Sequence, residues 1–209
     1  MKTIGILGGT FDPVHQGHIS LAQQAQKSLK LEQIQFLPCS IPVHRNQPLA
    51  SAEDRLHMLE QAIAGRKNWQ VNTVELDRDG PSYMVDSLRL VRDVQGHDSL
   101  ILLLGVDAFN AFYSWKSPEE ILTLSHLVVC RRPGVEVDKS IFASQQTNDP
   151  DLLHSRAGGY ILFLDINENH CSSSGVRQAL LRKQSIADCL SPTVAEYIKQ
   201  HQLYEVNSE

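Results

Sequence analysis

Lys2-Thr-Ile-Gly-Ile-Leu-Gly-Gly-Thr-Phe-Asp-Pro-Val-His-Gln-Gly-His18 is the stretch on which the fold turns. Lys2–Leu7 is a short apolar run closed by Gly8-Gly9, the pattern of a strand buried on both faces. From about Gln16 to Leu29 the period becomes helical: Ala22, Ala25 and Leu29 recur on one face, while Gln23, Gln24, Lys27 and Lys30 can meet water. The eleven residues Gly8–His18 therefore join a buried strand to a helix. In an open parallel sheet such a loop lies at the carboxyl end of a strand, where ligands bind.

The same alternation runs through the rest of the chain. Ile34–Leu37 reads as a second strand ending at Pro38, followed by a proline-rich loop to Pro48. Ser51 and Asp54 open a helix with Leu56, Leu59 and Ile63 on one face. Val71–Leu76 has strand character, and Asp77–Pro81 is a turn. Ser82–Val94 is helical by spacing, with Val85, Leu88 and Val91 or Arg92 on successive turns. Leu100–Leu104 is the most apolar run and reads as a central strand ended by Gly105. His126–Cys130 and Tyr160–Leu164 are further strands, with residues 135–158 between them as a surface excursion of weak periodicity. Helices Ser174–Arg182 and Pro192–His201 close the chain. Strands alternating with helices predict an α/β, Rossmann-like, doubly wound and mostly parallel sheet with helices on both faces. Without a repeat, linker or low-complexity segment, residues 1–209 are expected to form a single domain.

Composition bounds the partners. Hydrophobic residues make up 42% and charged residues 21% of the 209, near the averages for globular proteins. A net charge of -5 without a Lys/Arg cluster disfavours a nucleic-acid polymer. Small anionic ligands need only local donors and stay open. No run is long enough to span a membrane, and the first residues are too short for a signal peptide. The four cysteines, Cys39, Cys130, Cys171 and Cys189, form no CxxC pair. They suggest neither a zinc site nor a disulfide framework, and free thiols in a reducing cytoplasm are the expectation.

The first loop is built for an anion. Gly8 and Gly9 let the backbone approach a ligand, and the helix start offers unpaired N–H groups. His15 and His18 stand one helical turn apart, so both rings can face one spot. Zinc is a rival reading of two histidines, but no further ligand lies nearby in sequence. The segment is neither GxxxxGK[ST] nor GxGxxG, which weighs against a Walker loop and against hydride transfer. As a whole it resembles the GxFDPxHxGH motif of the adenylyl- and cytidylyltransferase superfamily. Cys171-Ser-Ser-Ser-Gly-Val-Arg177 resembles that superfamily's second motif, I-S-S-T-x-I-R, with Cys171 in place of the isoleucine. Its hydroxyls cap a helix and can donate to phosphate, and Arg177 lies one turn inside.

Three more strings resemble bacterial nicotinate-nucleotide adenylyltransferases, along nearly the whole chain. Pro42-Val-His44-Arg45 stands where that family has P-P-H-[KR]. Gly80-Pro-Ser-Tyr-Met-Val-Asp-Ser-Leu88 resembles x-P-S-Y-T-x-x-T-L. Leu103-Leu-Gly105-Val-Asp107, with Trp115 and Lys116 beyond, resembles G-x-D-x…W. Val128–Gly134 matches the family as strand and turn.

The resemblance implies transfer of the adenylyl group of ATP to nicotinate mononucleotide, giving nicotinate adenine dinucleotide and pyrophosphate in NAD biosynthesis. ATP would meet Gly8, Gly9, Thr10, Phe11, His15, His18, Gly105, Asp107, Ser173, Ser174 and Arg177, with His15, His18 and Arg177 catalytic. Asp107 would hold the ribose hydroxyls. The mononucleotide would meet His44 and Arg45 through its phosphate. Its carboxylate would meet the amides of Met84 and Val85 after Tyr83, and that of Lys116, with Trp115 under its ring. Magnesium would ride on ATP rather than on an acidic cluster of the protein. The amidated nucleotide, phosphopantetheine, a non-catalytic dinucleotide sensor and an NAD-dependent oxidoreductase are the alternatives. Oligomeric state is left open.

Overall fold

Seven strands form one sheet among the described residues of the computed structural model, which are 1–43, 47–131 and 134–205. The strands are β1 (Thr3–Gly9), β2 (Gln33–Pro38), β3 (Trp69–Val71), β4 (Ser99–Gly105), β5 (His126–Arg131), β6 (Gln146–Thr147) and β7 (Ile161–Asp165). Their spatial order is β3-β2-β1-β4-β5-β7-β6, and each neighbouring pair is parallel. The helices are α1 (Gln16–Leu29), α2 (Ala52–Ile63), α3 (Met84–Gln95), α4 (Val106–Asn110), α5 (Pro118–Leu124), α6 (Ser173–Leu181) and α7 (Pro192–Gln200). The expected doubly wound sheet is therefore present, and wholly parallel.

The apolar runs fill both faces because successive strand residues point to opposite sides. Leu7, Ile34, Phe36, Ile101, Leu103 and Val128 pack with Ala22, Ala25, Met58, Leu59, Val176, Val194 and Ile198, from α1, α2, α6 and α7. Ile4, Ile6, Leu37, Leu100, Leu102, Leu104 and Val129 pack with Val85, Leu88, Phe109 and Ile121, from α3, α4 and α5. Order reverses where α1 follows β1 on one face and α4 follows β4 on the other. That crevice between two adjacent strand ends is where a doubly wound sheet takes its ligand.

Three expectations are corrected. The third strand is Trp69–Val71, not Val71–Leu76. Asn72 ends it by accepting the Val74 N–H with its side-chain oxygen at 3.1 Å, and Leu76 N–H closes a turn on Thr73 O at 2.7 Å. In α2 the buried face carries Arg55, Met58, Leu59 and Ile63, while Leu56 is half-exposed. An arginine reads as a solvent residue in a sequence, yet backbone carbonyls accept from this one. The segment 135–158 is more than a surface excursion: Ile141 and Leu153 are fully buried, and β6 forms the sheet edge beside β7. Isolated apolar anchors in irregular backbone leave no periodic signal.

Candidate functional site

The loop after β1 ends in a helix cap made of two imidazoles. His15 is the N-cap of α1, and its Nδ1 accepts the Gly17 N–H at 3.1 Å. His18, three residues on, accepts the His15 N–H on its own Nδ1 at 3.3 Å. This is the reciprocal capping arrangement, with imidazole acceptors in place of hydroxyl and carboxylate. An accepting Nδ1 bears no proton, so the N–H of a neutral ring sits on Nε2. Burial pushes His15 down to about 4, which keeps it neutral at physiological pH. The two rings lie with centroids 3.8 Å apart. Capping thus fixes the tautomer of both rings, with N–H on the edge turned from the helix backbone.

Small residues make this geometry possible. A Cβ on Gly17 would stand 2.8 Å from the His15 ring and 2.9 Å from the Cys171 carbonyl oxygen. Phe11, buried and with φ of 51°, sits edge-on to His18 at 4.9 Å between centroids. A left-handed phenylalanine is strained backbone held by its surroundings, and such positions gather at ligand loops.

The second motif comes up against the first. Ser172 caps α6, accepting the Gly175 N–H at 3.1 Å, so the helix begins at Ser173 rather than Ser174. Ser173 Oγ donates to the Pro13 carbonyl at 3.0 Å, and exposed Ser174 lies 3.4 Å from Ser172, oxygen to oxygen. Arg177 Nη1 donates to the Asp12 carbonyl at 2.6 Å and stands 3.6 Å from its carboxylate. Two junctions more than 150 residues apart in sequence are thereby in direct contact.

Asp12 is the hub of this contact, and nothing in the motif reading singled it out. Its carboxylate is buried and accepts from Leu49 N–H at 3.0 Å, Ala50 N–H at 3.1 Å and Tyr204 O–H at 2.8 Å. Burial beside Asp12 raises the Tyr204 phenol far above its ordinary range, so it stays a donor. Arg55 Nη1 donates to Thr10 O at 2.8 Å and to Cys39 O at 2.6 Å, tying the loop after β1 to that after β2. The only sequence signal for Asp12 was its place in the string Phe-Asp-Pro. For Arg55 and Tyr204 there was none.

A second cluster forms around the start of α3. Tyr83 is its N-cap, and no side chain caps the helix. Lys116 Nζ lies 4.6 Å over the Tyr83 ring and 2.9 Å from the Asp86 carboxylate. Trp115 is half-buried and packs on Phe112 at 5.5 Å between centroids. Met84 touches the first loop: a Cβ on Gly8 would stand 2.6 Å from its terminal methyl. A Cβ on Gly9 would likewise press on the Phe11 ring at 3.0 Å. Ser82 Oγ accepts from Ser40 N–H at 3.0 Å, hooking the loop after β2 to this helix start. His44 and Arg45, expected on that loop, lie outside the described residues. Gly105 and Asp107 occupy the end of β4 beside β1, with open space over the Gly105 Cα and Asp107 exposed in the first turn of α4.

The expectation of free thiols is half corrected. Cys171 and Cys189 form a disulfide with Cα atoms 5.4 Å apart, whereas Cys39 and Cys130 are unbridged. A long turn after α6 folds the chain back, which sequence spacing of 18 residues does not announce.

Comparison with known proteins follows the same lines. The family model described as cytidylyltransferase-like matches residues 6–179. A protein of Methylococcus capsulatus named probable nicotinate-nucleotide adenylyltransferase is 39% identical, over 96% of this chain and 99% of its own. One of the same name from Pseudomonas putida is 37% identical over 98% and 91%. Among solved structures, Plasmodium falciparum nicotinic acid mononucleotide adenylyltransferase complexed with NaAD superposes with a TM-score of 0.75 at 19% identity, covering 98% of each chain. At that identity the likeness speaks for the fold. Together, the matched motifs and full-length relatives place the chain in the nicotinate-nucleotide adenylyltransferase family of the cytidylyltransferase-like proteins.

Proposed function

We propose that this chain, acting as one unit in the cytoplasm, transfers the adenylyl group of ATP to nicotinate mononucleotide. The observation that carries the site assignment is the meeting of the two motifs. Arg177 and Ser173 reach the Asp12-Pro13 backbone of the same loop that ends in the His15–His18 cap.

The chemistry asks for little acid–base work. The mononucleotide 5′-phosphate is already ionised and is the nucleophile. Its oxygen bonds to the α-phosphorus of ATP, the bond from that phosphorus to the β-phosphate bridging oxygen breaks, and pyrophosphate leaves. Catalysis then consists of aligning two anions and stabilising charge on the phosphoryl oxygens. The Nε2–H groups of His15 and His18, the α1 amides and the Arg177 guanidinium are the donors for ATP. Gly8 and Gly9 let the triphosphate approach the backbone. Gly105 leaves room beside β4, where Asp107 accepts from the ribose hydroxyls. Across the crevice, the uncapped α3 start offers Met84 and Val85 amides to the nicotinate carboxylate. Trp115 supplies a face for the pyridine ring.

The Asp12 carboxylate is already taken by two amides and a phenol, and Asp107 is assigned to the ribose, so neither is offered to a metal. Magnesium is accordingly expected to arrive on the β- and γ-phosphates, where it neutralises charge on the leaving pyrophosphate.

Pyrophosphate release measured with ATP alone, nicotinate mononucleotide alone, both, or ATP with the amidated nucleotide tests the reading. Release is expected with both substrates and magnesium, with the acid favoured over the amide. Equal or greater turnover of the amide would overturn the carboxylate assignment at α3. Failure of both pairs to release pyrophosphate would overturn the function.

A further inference from the structure

The disulfide sits directly behind the proposed ATP clamp. Cys171 immediately precedes the α6 cap Ser172, and Cys189 lies in the connection to α7. Both also touch the start of α1. Cys189 O accepts the Gln16 N–H at 2.8 Å, and Cys171 O abuts Gly17 so closely that a Cβ there would stand 2.9 Å from it. The S–S bond therefore links the two segments that brace His15, Gln16 and Gly17 from behind. Cys171 is buried, Cys189 is half-buried, and the exposed imidazole of His170 holds its Nε2 3.7 Å from Cys189 Sγ. A half-buried sulfur with an exposed imidazole 3.7 Å away, joined to a second cysteine across the chain, is the arrangement of an exchangeable disulfide. Cys130 lacks it: burial pushes that thiol up to about 12, away from thiolate chemistry.

We infer that Cys171 and Cys189 are a site of reversible oxidation by small-molecule disulfides, and that their state sets how firmly the clamp holds ATP. In the forward direction the Cys189 thiolate attacks one sulfur of RSSR, forming a mixed disulfide and expelling one thiolate RS⁻. The Cys171 thiol then gives up its proton and displaces the second RS⁻ from Cys189. The two cysteines lose two protons and two electrons, and RSSR becomes two RSH. Closing the bond holds the α6 lead against α1. Opening it frees the α6 lead and the 182–190 connection to move apart. The effect on ATP rests on the function proposed above; the oxidation itself does not.

The full-length protein is treated with oxidised glutathione or with dithiothreitol, freed of reagent, unfolded in guanidinium so that every thiol is reachable, labelled with a maleimide and weighed; the KM for ATP is measured on the folded protein in each state. Four labels after reduction and two after oxidation are expected, with a several-fold higher KM for ATP in the reduced form and an unchanged KM for the mononucleotide. Cys189→Ser and Cys171→Ser should each fix the reduced behaviour, whereas Cys39→Ser should leave the response intact. Four labels after oxidation, a persistent glutathione adduct, or an equimolar zinc ion retained by the reduced trio His170, Cys171 and Cys189 would overturn the assignment. So would an identical KM for ATP in both states. Absence of turnover in every state, with the label count changing from four to two, would instead count against the proposed function alone.

Discussion

His15 and His126 are the same side chain in nearly the same condition at opposite ends of the sheet. Each is buried, and burial pushes each down to about 4. Each accepts a backbone N–H on Nδ1, from Gly17 at 3.1 Å and from Tyr160 at 3.0 Å. They differ at the other nitrogen. His126 Nε2 donates to the Arg156 carbonyl at 2.9 Å, while none of the described hydrogen bonds takes the Nε2–H of His15. The arginines repeat the contrast. Arg92, at the amino end of the strands, donates to the carbonyls of Gly96, Asp98, Leu124 and Ala157. Arg177, at the carboxyl end, donates among the described residues to Asp12 O, with the Asp12 carboxylate near. Donors at the amino end are taken up by the fold. His15 and Arg177 are positioned by it at the carboxyl end, beside the crevice proposed to take the ligand.

Matched substitutions can break that contrast. The largest effect is expected from His18→Ala, which should cut adenylyl transfer by about a hundredfold or more. His126→Ala should instead lower thermal stability while each folded molecule keeps its turnover. Steady-state kinetics and melting of the two variants decide it, and a reversed pattern removes the contrast. Next come the arginines. Arg177→Lys should lower kcat on the order of tenfold by losing the fork of donors, with little change in melting. Arg92→Met, which leaves several carbonyls without a donor, should cost about 3 kcal/mol of stability in urea unfolding with kcat unaffected.

A smaller effect sharpens the map within the site. Trp115→Ala should raise KM for the mononucleotide roughly tenfold and leave KM for ATP nearly unchanged, stacking being worth ~1 kcal/mol or somewhat more. Equal changes in both constants would remove the stacking role.

A last effect is in pH dependence. Both histidines have folded values near 4 against 6.5 for the free side chain, so the unfolded chain binds more protons between those limits. Their contribution to stability is whole above pH 6.5 and declines as pH falls toward 4. Glu75, raised by burial, acts with the opposite sign, so the informative quantity is a difference between variants. His126→Asn should reduce the slope of unfolding free energy against pH by about 1.4 kcal/mol per unit within that window. An unchanged slope would show that His126 is protonated in the folded protein.

Much of this was legible in the order of residues. Periodicity gave the strands and the long helices because each run must present one or two apolar faces to the core, and that constraint is local. The motif glycines and histidines were legible for the same reason: the loop after β1 builds its cap from residues within three positions of one another. The loop edge of the sheet was harder. Asn72 ends β3 early by a side-chain turn, and Ile141 and Leu153 anchor a segment without any period.

What the sequence alone determined is the alternation of buried strands with amphipathic helices and the two motif-bearing helix starts, all of which depend on near neighbours. Only the tertiary structure decided that Tyr204 and Arg177 would converge on Asp12, that Arg55 would be buried among loop carbonyls, and that Cys171 would bond to Cys189. Those contacts join residues 16 to 192 positions apart. No pattern within one element encodes them, because they exist only once the sheet has brought its strand ends side by side.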